Sequence, residues 1–124
     1  MKITVDDKND STVAIISGEE IIINNVRDAL DLMMNVKYQG CDKMLLRKEQ
    51  ITDDFFELKS GVAGEIAQKY TNYQMRVAIV GEFTSYNSKS LNDFIYECNQ
   101  GDKMLFKSAE AEALAALHLC KSWR

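Results

Sequence analysis

The feature that most constrains the fold is an alternation of short apolar segments with segments of helical periodicity. Three apolar segments, Lys43–Arg47, Met75–Val80 and Lys103–Lys107, have the length of buried strands and are too short for stable helices. Amphipathic patterns of helical length lie between them. Because strands that alternate with helices are joined by crossovers, the pattern predicts a largely parallel sheet covered by helices.

The N-terminal region predicts an antiparallel hairpin ahead of this alternation. Lys2–Asp6 and Thr12–Ser17 have strand patterns, and Asp7–Asp10 is a cluster of turn residues. The predicted order is therefore β-β-α-β-α-β-α-β-α, one α/β domain over residues 1–124 with five strands and four helices. Met75–Val80 is the most apolar strand, so we expect it at the centre of the sheet.

Each predicted helix follows a residue whose side chain can cap the first turn. The second helix is the longest, from Asp53 to about Tyr70, and the last ends near Leu119, before a frayed tail. The predicted caps are Asn25 with Asp28, Thr52, Ser90 with Asp93 in preference to Ser88, and Ser108.

Composition and charge exclude several classes of function. The net charge of −4 argues against binding to nucleic acid or to an anionic membrane. No segment has the length and apolarity of a signal peptide or a membrane span. Cys41, Cys98 and Cys120 are odd in number and scattered, which indicates reduced thiols and a cytoplasmic location. We expect Cys98 to pack in the core.

The sequence contains no recognisable catalytic set. The single histidine, His118, is expected at the surface or an edge of the fold, without a carboxylate at helical spacing to orient it. We therefore predict no metal site, no cofactor and no catalytic residue. An enzyme of unknown type stays open, with Glu65, Glu82 or Glu97 as a general acid or base.

Gly61 and Gly64 are the most informative residues of the predicted second helix. Together they cost a helix about 2 kcal/mol relative to alanine, so another gain should offset them. One explanation is close approach of another helix or of the sheet. A second is close approach of a partner protein, a second subunit or a ligand, and a third is a break in the helix near Ser60.

The loop after the fourth strand is the other candidate site. Open α/β sheets bind ligands at the carboxyl ends of their strands, where this loop is predicted to lie. It lacks the several glycines of a dinucleotide-binding or P-loop motif, but it offers hydroxyl groups and a helix N-terminus. The candidate ligand residues are Gly81, Thr84, Tyr86, Asn87, Ser88 and Ser90.

Several segments, taken together, are similar to one protein family. They are Glu20–Val26 with Asp28–Leu32, Ile51–Phe56 with Gly61–Ile66, Val77–Gly81, and Ser88–Leu91. This combination resembles a small bacterial family known as domain of unknown function 4180, over nearly the whole chain. Because that family carries no established activity, the resemblance implies no catalytic residue.

The element order also resembles that of STAS domains, the fold of anti-sigma-factor antagonists. In STAS domains, a partner kinase phosphorylates a Ser or Thr at the start of the helix after the third strand, and the resemblance implies Thr52 as the matching position. The Asp-Ser-Ser/Thr-Gly pattern is missing, and Ser60-Gly61 follows about two helical turns too late. Asp53 and Asp54 would oppose a phosphate at Thr52.

The sequence as a whole favours a non-catalytic regulatory or protein-interaction module with a STAS-like fold. The partner would be an unidentified protein, and homodimer formation is compatible with this role. The predicted binding face comprises Thr52, Asp53, Asp54, Ser60, Gly61 and Gly64. The alternative is a domain that binds a small ligand or an anion through the loop after the fourth strand.

Overall fold

The computed structural model describes residues 1–120, in which five strands and four α-helices follow one another in the predicted order. The predicted tail, residues 121–124, lies outside this part of the chain. The elements are β1 (Lys2–Lys8), β2 (Ser11–Ser17), α1 (Val26–Tyr38), β3 (Lys43–Arg47), α2 (Val62–Asn72), β4 (Arg76–Val80), α3 (Lys89–Gln100), β5 (Met104–Lys107) and α4 (Glu110–Leu119).

The strands form one mixed sheet in the order β1-β2-β3-β4-β5. β1 and β2 pair antiparallel across a turn at Asn9 and Asp10, which have positive φ angles, and the remaining neighbours pair parallel. The predicted hairpin and the mostly parallel sheet are therefore confirmed. β4 is an interior strand between β3 and β5, as its apolar sequence predicts, although β3 is the middle of the five.

The two faces of the sheet are covered by different helices. Helices α1, α2 and α3 pack on one face, because crossovers of one hand between strands in sequential order place their helices on the same side. Helix α4 follows the last strand and packs on the opposite face. Side chains alternate accordingly, with Met44 and Leu46 of β3 facing α1–α3 and Leu45 facing α4.

The predicted second helix is wrong in its first half. Two short 3₁₀ turns, Asp53–Phe56 and Leu58–Ser60, precede α2, which begins only at Val62. Phe55 and Phe56 are both buried, and one helix stripe cannot easily bury two such consecutive side chains. Gly61 has φ +82°, so it supplies the left-handed residue at the break that we considered near Ser60.

Local hydrogen bonds stabilise this break. The Ser60 hydroxyl donates to the Asp54 carbonyl at 2.6 Å and accepts from the Val62 amide at 3.2 Å. Thr52 therefore precedes a 3₁₀ turn and makes no side-chain cap bond, contrary to its predicted role as a helix cap.

The other predicted caps are confirmed in part. The Asn25 side chain accepts from the Asp28 amide at 2.8 Å, but the Asp28 carboxylate reaches back to Asn24 instead of Asn25. Ser88, and not Ser90, caps α3 by accepting from the Leu91 amide at 3.2 Å. Helix α4 follows Ala109, so Ser108 lies one residue before the cap position.

Gly64 lies on the exposed side of α2, and the predicted close approach of another part of the chain is not found there. A Cβ atom at Gly64 or at Gly61 would meet no atom within 4 Å in the described structure. No helix among residues 1–120 has the length and apolarity required to cross a lipid bilayer.

The two glycines should respond oppositely to substitution by alanine. Gly64→Ala should stabilise the protein by about 1 kcal/mol, because alanine has the higher helix propensity and the site is open. Gly61→Ala should destabilise it by about 1–2 kcal/mol, because φ is +82° there. Urea unfolding of both variants measures the difference, and a stabilised Gly61→Ala protein would refute the break in the helix.

Candidate functional site

The clearest candidate site is a cleft at the carboxyl end of β4 and β5, called here the carboxyl-end cleft. Its volume is about 380 Å³, within the range of small-molecule sites. The first turns of α3 form one wall, and the loop after β4 forms another. The lining residues are Gly81, Glu82, Phe83, Thr84, Asn92, Ile95, Phe106, Lys107 and Ser108.

An aromatic cluster lies beneath and beside this cleft. It contains all five phenylalanines of the chain together with Tyr86. Phe106 of β5 makes an edge contact with Phe83 of the loop, with ring centroids 5.3 Å apart and planes at 88°. Phe56 stacks on Tyr86 at 5.2 Å. The 3₁₀ segment and the loop after β4 are therefore packed against each other.

The loop after β4 is held close to the chain that follows β3. A Cβ atom at Gly81 would lie 2.6 Å from the Cβ of Lys48, so only glycine fits this position without a shift. The Lys48 ammonium donates to the Glu82 carbonyl at 2.8 Å and lies 4.6 Å from the centre of the Tyr86 ring. Lys48 thus closes one side of the loop.

The two charged groups of the cleft differ in how they are partnered. The Glu82 carboxylate accepts hydrogen bonds from the amide and hydroxyl of Thr84. These bonds, with further ones from Ser85, lower the pKa of Glu82 below its ordinary value. Lys107 is half-buried at the end of β5, and its ammonium has no hydrogen-bond or ion-pair partner within residues 1–120.

The structure separates the predicted ligand residues of this loop into different roles. Gly81 and Thr84 line the cleft. Tyr86 packs on Phe56, and Ser88 is occupied by capping α3, with its hydroxyl oxygen 3.4 Å from that of Ser90. Neither serine lines the cleft.

The predicted protein-binding face is only partly contiguous with this end of the molecule. Thr52, Asp53 and Asp54 adjoin Phe55 and Phe56 of the aromatic cluster, next to the loop after β4. Gly61 and Gly64 lie at and within α2 and do not line the cleft. Use of this face by a partner stays a prediction.

Sequence reasoning missed the residues that α3 and β5 contribute to the cleft. Asn92, Ile95, Phe106, Lys107 and Ser108 are distant in sequence from the loop after β4. A signal was available, since Lys107 ends the next strand and Ser108 follows it, and neighbouring parallel strands have their carboxyl ends on the same side of a sheet.

Gln50, which the sequence analysis also overlooked, stabilises the carboxyl ends of two other strands of the sheet. It is fully buried, and its amide donates to the carbonyls of Ile16 and Gly18 at 3.0 and 3.1 Å. Its side-chain oxygen accepts from the Arg47 amide at 2.8 Å. These bonds join the ends of β2 and β3 where their short ladder stops.

A second, smaller cavity lies between α2 and α3 at the amino end of β5. Its volume is about 220 Å³, and Tyr70, Cys98 and Met104 contribute to its lining. Cys98 is half-buried at the edge of the core, as its predicted packing role requires. Burial and the nearby Glu97 carboxylate raise the pKa of Cys98 to about 11, so this thiol is a poor nucleophile near neutral pH.

His118 is the largest departure from the sequence prediction, because its side chain is only 7% exposed. One ring nitrogen, Nε2, lies 2.7 Å from the Asp6 carboxylate, and the other, Nδ1, lies 2.8 Å from the Ser11 hydroxyl oxygen. Lys43, which is buried, donates to the same hydroxyl oxygen at 2.9 Å. Four residues from β1, β2, β3 and α4 thus form one hydrogen-bonded chain.

Two directions in this hydrogen-bonded network follow from the chemical groups involved. A lysine ammonium can only donate, so the Ser11 oxygen accepts from Lys43, and the same hydroxyl contacts Nδ1 of His118. Nε2–H then donates to Asp6. Asp, His and Ser are also the residue types of hydrolase triads. Here Ser11 is 8% exposed and its oxygen already accepts from Lys43. These hydrogen bonds therefore connect α4 to the β1–β2 hairpin, and this connection is called here the joint.

Removing the imidazole should loosen this joint. His118→Leu leaves the buried Ser11 hydroxyl without its imidazole partner, and we expect a loss of about 1–3 kcal/mol in the free energy of unfolding. Asp6→Asn is the matched control, because its amide oxygen can still accept from Nε2–H. Urea unfolding and amide exchange in α4 report the effect. Equal stability of wild type and His118→Leu would contradict the assigned joint.

The close contact at Gly81 gives a separate prediction for the loop. Gly81→Ala should destabilise the protein by about 1–3 kcal/mol, because the new methyl group would overlap the Lys48 side chain near its backbone. The exposed Gly64→Ala change is the control for the same substitution at an open site. Thermal unfolding followed by circular dichroism compares the two, and an unchanged Tm for Gly81→Ala would show that the loop is not held as described.

Comparison with known proteins places the chain in a family. No group of three or more His, Cys, Asp or Glu side chains within residues 1–120 is arranged to hold a metal ion. No curated protein is similar enough to the chain to count as a match. Residues 8–117, most of the chain, match the family described as Domain of unknown function (DUF4180). The α/β fold described above therefore belongs to a member of the DUF4180 family.

Proposed function

We propose that this protein binds a small molecule in the carboxyl-end cleft. The observation that carries the proposal is the meeting of three elements around one opening: the loop after β4, the first turns of α3 and the end of β5. An apolar floor with a few polar groups at its rim is the usual construction of a small-molecule site. The position at the carboxyl ends of parallel strands is also where open α/β sheets bind ligands.

The floor and the rim of the cleft supply complementary interactions. Phe106 is buried and Ile95 is half-buried, so the interior favours an apolar part of a ligand. Asn92, Lys107 and Ser108 provide an amide, an ammonium and a hydroxyl at the rim. These groups orient a ligand without forming a set of nucleophile, base and oriented partner, so the proposal is binding and not catalysis.

Glu82 does not change this conclusion. Its carboxylate is hydrogen-bonded within its own loop and its pKa is lowered, which makes it a weak candidate for the general base considered from the sequence. Glu97 lines the other cavity, beside Cys98.

A cleft-filling variant tests the proposal directly. A fragment screen by two-dimensional amide NMR should identify compounds that shift the amides of Phe106 and Ser108, and Asn92→Trp should abolish those shifts by occupying the cleft. Gln68→Trp, at an exposed position of α2, is the matched control and should retain them. The proposal fails if no compound perturbs these amides, or if both tryptophan variants respond like wild type.

A further inference from the structure

We infer that the carboxyl-end cleft takes a small organic monoanion with a flat apolar ring, for which an aromatic carboxylate is the simplest chemical class. This inference rests on the proposed function and specifies its ligand.

The charge expected for the ligand depends on which cationic side chains near the cleft already have hydrogen-bond partners in the protein. Lys48 donates to the Glu82 carbonyl, and Arg47 donates to the Gly18 carbonyl at 2.8 Å. Lys107 is the cation that lines the cleft, and no group within residues 1–120 forms a hydrogen bond or an ion pair with it. An ammonium without a protein partner beside an apolar cleft favours an anionic ligand.

The presence of Glu82 in the same cleft limits the number of negative charges that the ligand can carry. Glu82 lines the cleft as well, and its lowered pKa keeps it ionised near neutral pH. Its oxygens are satisfied by Thr84 and Ser85, so it does not require a cationic ligand. Glu82 repels any negative charge in the cleft, so each charge beyond the one placed beside Lys107 would lower the affinity of the ligand. Because the cleft contains one cation, Lys107, and one ionised carboxylate, Glu82, a monoanion is favoured over a di- or triphosphate.

The ring of the ligand follows from the floor. Phe83 and Phe106 meet edge to face, and Phe83, which is half-buried, is the more exposed of these two rings in the cleft lining. Ile95 of α3 adds an aliphatic wall. A flat aromatic ring can continue this edge-to-face packing, which is worth more than burial of the same area of aliphatic chain. Asn92 and Ser108 can hydrogen-bond the carboxylate beside Lys107.

The test uses four probes that separate ring from charge, with amide NMR titration of the full chain. Phenylacetate carries both features, benzyl alcohol carries the ring alone, benzylamine reverses the charge and inorganic phosphate has no ring. We expect phenylacetate to shift the amides of Phe106 and Ser108 at the lowest concentration. Benzyl alcohol should bind about tenfold more weakly, and benzylamine and phosphate more weakly still.

Lys107→Met tests the cation, and Lys37→Met in α1 is the matched half-buried control. We expect Lys107→Met to weaken phenylacetate binding about tenfold and to leave benzyl alcohol binding unchanged, while Lys37→Met alters neither. Raising the salt concentration should weaken phenylacetate binding to wild type, a measurement that does not depend on the variant folding. Circular dichroism checks the fold of both variants.

The outcomes separate this inference from the proposed function. Equal binding of phenylacetate and benzyl alcohol, with no effect of Lys107→Met or of salt, would overturn the anion while leaving a small-molecule cleft. Phosphate binding as tightly as phenylacetate would overturn the ring. If no probe shifts the cleft amides, the stated ligand class is wrong, whereas the cleft itself is judged by the wider fragment screen and Asn92→Trp.

Discussion

Packing among the phenylalanines holds together the end of the molecule that contains the carboxyl-end cleft. Phe106 comes from the edge strand, Phe94 from α3, Phe83 from the loop after β4, and Phe55 and Phe56 from the 3₁₀ segment. The loop after β4 and the 3₁₀ segment are irregular, and their rings pack against each other through Phe56, Phe83 and Tyr86. Their shape therefore depends on burying aromatic rings against one another, and each large ring contributes more apolar area than an aliphatic residue. A cavity introduced in this cluster would affect the cleft, the loop and the 3₁₀ segment together.

Most of the sheet could be predicted from the sequence because its strands have strong local patterns. Lys43–Arg47 was predicted with its observed limits, and the β1–β2 hairpin follows from alternation around a turn cluster. The first half of the second helix could not be predicted in this way, because its pattern fits a helix equally well. Burial of Phe55 and Phe56 together, decided by tertiary packing, overrides that local pattern. Thr52 consequently loses the helix N-terminus on which its STAS-like interpretation depended.

Some residues of the candidate site can likewise be predicted from local sequence, whereas others are brought there only by the tertiary fold. The loop after β4 was a candidate because a βα loop at a carboxyl end is recognisable in sequence, and Gly81 and Thr84 do line the cleft. Lys107 and Asn92 join it only through the strand order, which places β5 beside β4. His118 is the extreme case, since its partners Asp6 and Ser11 lie 112 and 107 residues away in the chain. Helical spacing carries no information about partners at that distance.

The free edge of β5, the strand that carries Lys107, is hydrogen-bonded by a side chain of α3. The Asn99 side chain donates to the Phe106 carbonyl at 3.2 Å and accepts from the Phe106 amide at 2.9 Å, as a neighbouring strand would. Exposed strand edges pair readily with other chains, so a homodimer formed through this part of β5 would have to displace Asn99. The same two bonds fix the backbone of Phe106 while its ring forms the cleft floor. Asn99 therefore couples two properties of β5: its resistance to edge pairing and the placement of Lys107 at the mouth of the cleft.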